Sequence, residues 1–228
     1  MIEVHGFFIG DIVAEKPEAA RVLDAYGLDY CCHGDRTLQD ACDDLGVDPS
    51  VVVELLEKVT PDADNAWTSL GPRELAAHIV EVHHAFLKRE LPAVEALAAK
   101  VLAAHGERHP ELAEIHRLVT ALRADLEPHL LKEERVLFPA ISALSDGQTE
   151  FPFGSIRNPI RMMMLEHEDA GELLAQLRAV SAGYTVPDDA CASYRLLFQR
   201  LVALELDTHV HIHKENHVLF PAAQRLER

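Results

Sequence analysis

The chain has 228 residues, with 38 acidic and 21 basic side chains and a formal charge of −17. That charge argues against nucleic acid and against anionic membrane surfaces as partners. No apolar run approaches the ~20 residues of a membrane span, and Met1–Val13 lacks the basic and apolar regions of a signal peptide. Four cysteines, two of them adjacent, do not form a secreted disulfide framework, so the expected location is the cytoplasm. Many Ala and Leu and few aromatics lean towards helix.

Residues 1–60 read as a small helical unit. Pro17 suits a helix first turn, and the helix runs from Glu18 to Tyr26 until Gly27 ends it. The segment Leu28-Asp29-Tyr30-Cys31-Cys32-His33-Gly34-Asp35 is turn-like. Thr37 can cap a second helix that passes Cys42 and reaches Leu45, where Gly46 closes it. Asp48-Pro49 opens a third, with Val52, Leu55, Leu56 and Val59 on one face. Residues 61–71 read as linker.

Residues 72–228 carry four long helical patterns, at about 72–104, 111–144, 160–181 and 188–226. Pro92 should kink or break the first, and Pro128 and Pro139 lie inside the second. Residues 145–159 read as a long crossover. Four such helices without strand alternation indicate an all-α fold: a four-helix bundle preceded by the small helical unit.

One stretch is written twice. Lys132-Glu133-Glu134-Arg135-Val136-Leu137-Phe138-Pro139-Ala140 returns as Lys214-Glu215-Asn216-His217-Val218-Leu219-Phe220-Pro221-Ala222, seven of nine letters alike. His129 stands four residues before Glu133, and His211 four before Glu215. Residues i and i+4 share a helix face, so each copy offers an imidazole and a carboxylate in one direction. One such pair is a weak signal; its recurrence at the same place in a repeat is specific.

The other two helices should complete the set. His167 lies 44 residues before His211, and counting back 45 from His129 reaches His84, against 46 for His83. The repeat therefore prefers His84. His84, His129, His167 and His211 with Glu133 and Glu215 are too many donors for one four-coordinate zinc. They suit two metals with bridging glutamates. Imidazole and carboxylate without thiolate fit non-haem iron, with manganese as the other candidate. His209 and His213 sit about 200° round the helix from His211, and His217 is rotated off its face, so they read as surface groups or as groups standing behind the ligands. His78 and His83 fall in the same class. Glu166 and Glu168 read as a solvated helix face, and Met162-Met163-Met164 as core packing. Cys31 and Cys32 can offer thiolates to a metal or form an easily reduced disulfide. Cys42 can join them, and Cys191 reads as structural.

These paired His-x-x-x-Glu turns followed by Leu-Phe-Pro resemble the hemerythrin-like domain. Leu28-Asp29-Tyr30-Cys31-Cys32 with Leu38 and Cys42 is similar to the small domain that precedes it in the iron–sulfur cluster repair di-iron (RIC) family. The resemblance spans nearly the whole chain. It implies two non-haem irons per chain, held by His84, His129, Glu133, His167, His211 and Glu215, with the two glutamates and an oxo group as bridges. It implies repair of iron–sulfur clusters damaged by nitric oxide or peroxide. Iron donation to damaged iron–sulfur proteins and nitric oxide reduction are its two candidate chemistries, with Cys31 and Cys32 as a thiol relay. Nitric oxide or dioxygen would be the small ligand, and a homodimer is compatible with the family. The alternative is a hemerythrin-like oxygen, nitric oxide or iron binding and sensing protein without turnover. The family's usual Cys-Cys-Gly-Gly here reads Cys31-Cys32-His33-Gly34, which puts the turn conformation in question.

Overall fold

The structure, a computed structural model, describes residues 7–60 and 65–227. The leader reading at Met1–Gly6 and the linker reading at Pro61–Asp64 lie outside the described residues. Among those described there is no strand, only an isolated bridge between Phe8 and Thr37. No described helix is long and apolar enough to cross a membrane.

The N-terminal unit contains α1 (Ile9–Glu15), α2 (Ala19–Ala25), α3 (Leu38–Leu45) and α4 (Pro49–Lys58). The first of these differs from the expectation, which began the helices at Pro17. Ile9, Ile12 and Val13 do carry helical spacing and are buried, but two turns are too short to stand out from sequence alone. The caps follow local chemistry. Thr37 Oγ1 accepts from the Asp40 N–H at 3.1 Å, Asp48 accepts from the Ser50 N–H at 2.9 Å, and Gly46 turns left-handed at φ 66°. On α4, Val52 and Leu56 are buried but Leu55 is 36 % exposed. α4 packs on α2 and α3 through Val52 and Leu56, which leaves Leu55 at the edge of the apolar face.

The bundle is built from α5 (Pro72–Ile79), α6 (Ala85–His105), α7 (Glu111–Lys132), α8 (Phe138–Ser145), α9 (Arg157–Val180), α10 (Ala192–His213) and α11 (Phe220–Leu226). α6 packs on α7 and α10, and α7 packs on α9. A core of Leu87, Leu91, Leu122, Leu174, Leu197 and their neighbours fills the space between. Pro92 does not break α6. Leu91 and Val94 beside it are fully buried, so tertiary packing outweighs the one backbone bond a proline removes. α9 begins at Arg157, earlier than expected, with Pro159 in its first turn; α10 begins at Ala192, later than expected. Only Met163 of the three methionines is buried; Met162 and Met164 face solvent, because successive helical residues point about 100° apart. Trp67 packs into a second core with Leu75, Ile141 and Phe220.

Each written-twice stretch is a π-helical turn, Glu133–Leu137 and Lys214–Leu219, and a third occupies Val80–His84. The Phe-Pro pairs explain the first two. A proline lacks an N–H and its ring presses on the carbonyl four residues back. Here the preceding Phe138 and Phe220 donate five residues back, to the Glu133 and Glu215 carbonyls. The wider turn accommodates Pro139 and Pro221 and carries Glu133 or Glu215 near its start. Such turns cluster at functional sites.

Candidate metal centre

The three π turns and α7, α9 and α10 bring the six sequence-selected side chains together in the interior. His84, Glu133, His211 and Glu215 form one quartet whose donor atoms all lie within 4.8 Å of one another; His129, Glu133, His167 and Glu215 form a second. The two glutamates belong to both. Glu215 turns Oε1 to His211 Nε2 and Oε2 to His167 Nε2, each at 3.0 Å. Glu133 Oε2 stands 3.3 Å from His84 Nε2 and 3.4 Å from His129 Nε2. With metal–donor bonds of about 2.1 Å, adjacent donors around one ion lie roughly 3.0–3.4 Å apart, so these separations match coordination edges. His84, not His83, stands in the quartet.

The chemistry of the donor set fits metal. All six residues are within about a hundredth of full burial. Among the described residues, Glu133 Oε1 and Oε2 and His84 Nε2 have no hydrogen-bond partner. Orphaned buried carboxylate oxygens each cost about 1–3 kcal/mol or more unless a cation satisfies them. Charge follows the same logic. Burial works against a charged His129, but the Glu133 carboxylate overrides it and lifts its pKa to about 10. Burial also opposes an ionised Glu215, yet His211 and His167 hold it well below the usual carboxylate range. The interior keeps two carboxylates ionised and surrounds them with imidazoles.

Three imidazoles are held from behind. His84 Nδ1 is 2.8 Å from Glu134 Oε1, His129 Nδ1 is 2.9 Å from Glu166 Oε2, and His167 Nδ1 is 2.9 Å from Asn216 Oδ1. An Nδ1–H donated outwards leaves Nε2 facing the centre. Glu166 is therefore not the solvated face expected of it. The signal was available in the sequence: Glu134 and Asn216 each follow a selected glutamate, and Glu166 precedes His167. His211 differs, since its Nδ1 has no partner among the described residues. Where Glu166 stands in one half, His83 stands in the other, stacked on His211 at 5.6 Å. His83 is buried, not on the surface. The Lys214 ammonium donates to its Nε2 at 2.8 Å, so its Nδ1 carries the proton and donates to Asp207 at 2.9 Å. Burial, with Lys214 beside it, presses its pKa down to about 2. Lys214 also reaches His78 at 3.0 Å.

His209, His213 and His217, expected either at the surface or behind the ligands, hold the N-terminal unit. His209 Nδ1 meets Asp24 Oδ1 at 2.7 Å, and His213 Nδ1 meets the Tyr30 carbonyl at 3.4 Å. His217 Nε2 and Asn216 Nδ2 both reach the Cys31 carbonyl, at 3.1 and 3.0 Å. Ile212 completes that unit's core. Cys32 Sγ consequently lies 3.5 Å from the His167 carbonyl and 3.8 Å from Cys31 Sγ. The neighbouring thiol, burial and Asp29 raise the Cys31 pKa well above the usual thiol value. Cys42 does not join the pair; it is fully buried in the core. Cys191 is exposed at the start of α10, with Sγ 3.1 Å from His105 Nε2, so it is no core residue. His33 does not force a left-handed turn: the only described non-glycine residues with positive φ are Ala182 and Tyr184. Its ring binds Asp29 Oδ2 at 2.6 Å.

Comparison with known proteins agrees with this layout. Residues 75–223 match the hemerythrin HHE cation binding domain, and residues 8–60 match a domain of unknown function, DUF542. The chain is 32 % identical to the iron-sulfur cluster repair protein YtfE of an Enterobacter species, over 94 % of this chain and 95 % of that one. It is 33 % identical to the YtfE of Edwardsiella ictaluri over the same shares. It is 30 % identical to the iron-sulfur cluster repair protein ScdA of Staphylococcus haemolyticus, over 93 % and 95 %. The chain belongs to the hemerythrin HHE cation-binding family, and its similarity to these iron-sulfur cluster repair proteins runs over nearly its whole length.

Proposed function

We propose that this protein is a di-iron protein that repairs damaged iron–sulfur clusters, with His84, His129, Glu133, His167, His211 and Glu215 as the iron ligands. The observation that carries the reading is the pair of donor quartets sharing Glu133 and Glu215. Two imidazoles and two shared carboxylates per metal leave coordination positions open, which suits non-haem iron. Iron bound there supplies adjacent one-electron centres for nitric oxide or dioxygen and a store of iron for a damaged cluster. The chain's own part is to orient the imidazoles through Glu134, Glu166 and Asn216, and to keep Glu133 and Glu215 ionised. The contact of Cys32 with the His167 carbonyl supports a thiol relay of electrons or iron through Cys31 and Cys32. The small unit of residues 1–60 would then serve as the port of the 72–228 bundle.

The test is elemental analysis of the full chain purified without added metal, beside His167→Ala. About two irons per chain, lost or halved in the variant, is the expected result, since His167 serves one quartet. A folded wild type that holds only zinc and takes up no iron overturns the reading. Nitrous oxide formed over many cycles with a reductant would make the protein an enzyme, whereas reversible gas binding without consumption would make it a sensor.

A further inference from the structure

Three potential ligands converge outside the bundle interior. Cys31 Sγ and Cys32 Sγ are 3.8 Å apart, and Asp29 Oδ1 lies 3.2 Å from Cys31 Sγ. One donor atom from each residue falls within a single 4.8 Å group. We propose that Asp29, Cys31 and Cys32 form a second metal site, which binds one divalent cation with a preference for thiolate and leaves the fourth position open to solvent.

The distances favour this. An ion with metal–sulfur bonds of about 2.3 Å in tetrahedral geometry sets its sulfurs about 3.8 Å apart. With a metal–oxygen bond of about 2.1 Å, the sulfur–oxygen edge is about 3.6 Å. The Cys31–Asp29 separation falls a few tenths of an ångström short of that edge, within reach of a small side-chain rotation. Two thiolates and a carboxylate held this close repel one another, and a shared cation removes the repulsion.

The donors are also held in place. The backbone N–H groups of Cys31 and Cys32 donate to Asp29 Oδ1 at 3.2 and 2.9 Å. His33 Nδ1 binds the other oxygen, Oδ2, and so turns Oδ1 to the sulfurs. A histidine behind a ligating carboxylate is the arrangement by which outer groups orient metal ligands. Asn216 and His217 clamp the Cys31 carbonyl from the bundle side. A cavity of about 110 Å³ lined by Asp29, Cys31, Gly171, Arg178, Glu205 and His209 reaches two of the three donors and has room for a water ligand. A closed structural zinc site would have a fourth protein donor; an open position suits a cation in transit. The site adjoins the turn of α9 that carries His167. Ferrous iron is the cargo it would hold, a use that rests on the reading of the bundle as an iron donor.

Cobalt(II) is the probe. It is added without oxygen to the full-length, iron-loaded protein, with the cysteines kept reduced by a phosphine. The expected result is a near-ultraviolet thiolate-to-cobalt charge-transfer band that saturates at about one cobalt per chain. Cys32→Ser should abolish the band and Cys191→Ser should leave it. Asp29→Asn should weaken cobalt binding by about tenfold or more; asparagine keeps the acceptor for both N–H groups, so the turn survives. A wild type without the band, or a band that persists in Cys32→Ser, overturns the site. Iron measured on the same samples separates the two readings. Bundle iron without the band refutes this site alone, and the band without bundle iron refutes the di-iron reading while this site stands.

Discussion

Glu166→Ala should loosen one of the two proposed iron positions and spare the other. Glu166 accepts the His129 Nδ1–H at 2.9 Å and also binds Lys132. Without it the His129 Nδ1–H loses the Glu166 acceptor that orients the ring, and His129 serves the His129/His167 quartet alone. Removal of such an outer partner costs about 10–100-fold in metal affinity, or roughly 1.4–2.7 kcal/mol. The His129 bond pulls the Glu166 pKa down to about 2, so the carboxylate stays charged throughout the working range and the loss should not vary with pH there. The wild type is already asymmetric. The His129/His167 quartet has two anchors, Glu166 and Asn216, whereas in the other quartet only His84 is anchored, because His211 Nδ1 has no partner among the described residues. A stopped-flow chelator challenge of the iron-loaded protein should therefore resolve two release phases, about tenfold apart or more. Glu166→Ala should accelerate the slow phase by about 10–100-fold and leave the fast phase unchanged. A single release rate in the wild type, or a variant that accelerates only the fast phase, would refute the reasoning.

Two further outcomes are expected. Burial, reinforced by His217, presses the His213 pKa down to about 3. This folded value lies below the ordinary one, so between about pH 6.5 and pH 3 the unfolded chain binds a proton that the folded chain refuses. Stability should then fall by about 1.4 kcal/mol per pH unit on acidification. His213→Gln should flatten that slope by the same amount in urea titrations across pH, and parallel slopes would exclude His213 as the source. Gly34→Ala places a Cβ against the His217 ring and 2.5 Å from the Tyr30 carbonyl oxygen. Backbone cannot yield there, so the variant should lose about 1–3 kcal/mol and expose Cys32 to faster alkylation; an unchanged denaturation midpoint would show that this contact carries no load.

Much of the candidate centre was legible because its information is local. His129/Glu133 and His211/Glu215 share a face by the helix period alone. The near-equal spacing of the two halves carried that inference across to His84 and His167, and Gly46, Thr37 and Asp48 marked helix ends through capping chemistry that involves only their neighbours. Where an expectation gave way, the deciding contact came from elsewhere in the chain. Pro92 stayed inside α6 because the residues around it are buried against other helices. His209, His213 and His217 turned from outlying residues into the seat of the N-terminal unit because Asp24, Tyr30 and Cys31 meet them across more than 180 residues of sequence. Glu166 acquired its role from a histidine 37 residues away.

By itself, then, the sequence determined an all-α chain with a repeated imidazole–carboxylate turn, since helical periodicity is a property of adjacent residues. Only the tertiary structure decided that the Cys31–Cys32 turn lies against the His167 carbonyl, and that Asn216 joins His167 to Cys31 with its two amide ends. Those contacts depend on how one packed surface meets another, and no periodicity within a helix records where a distant segment will dock.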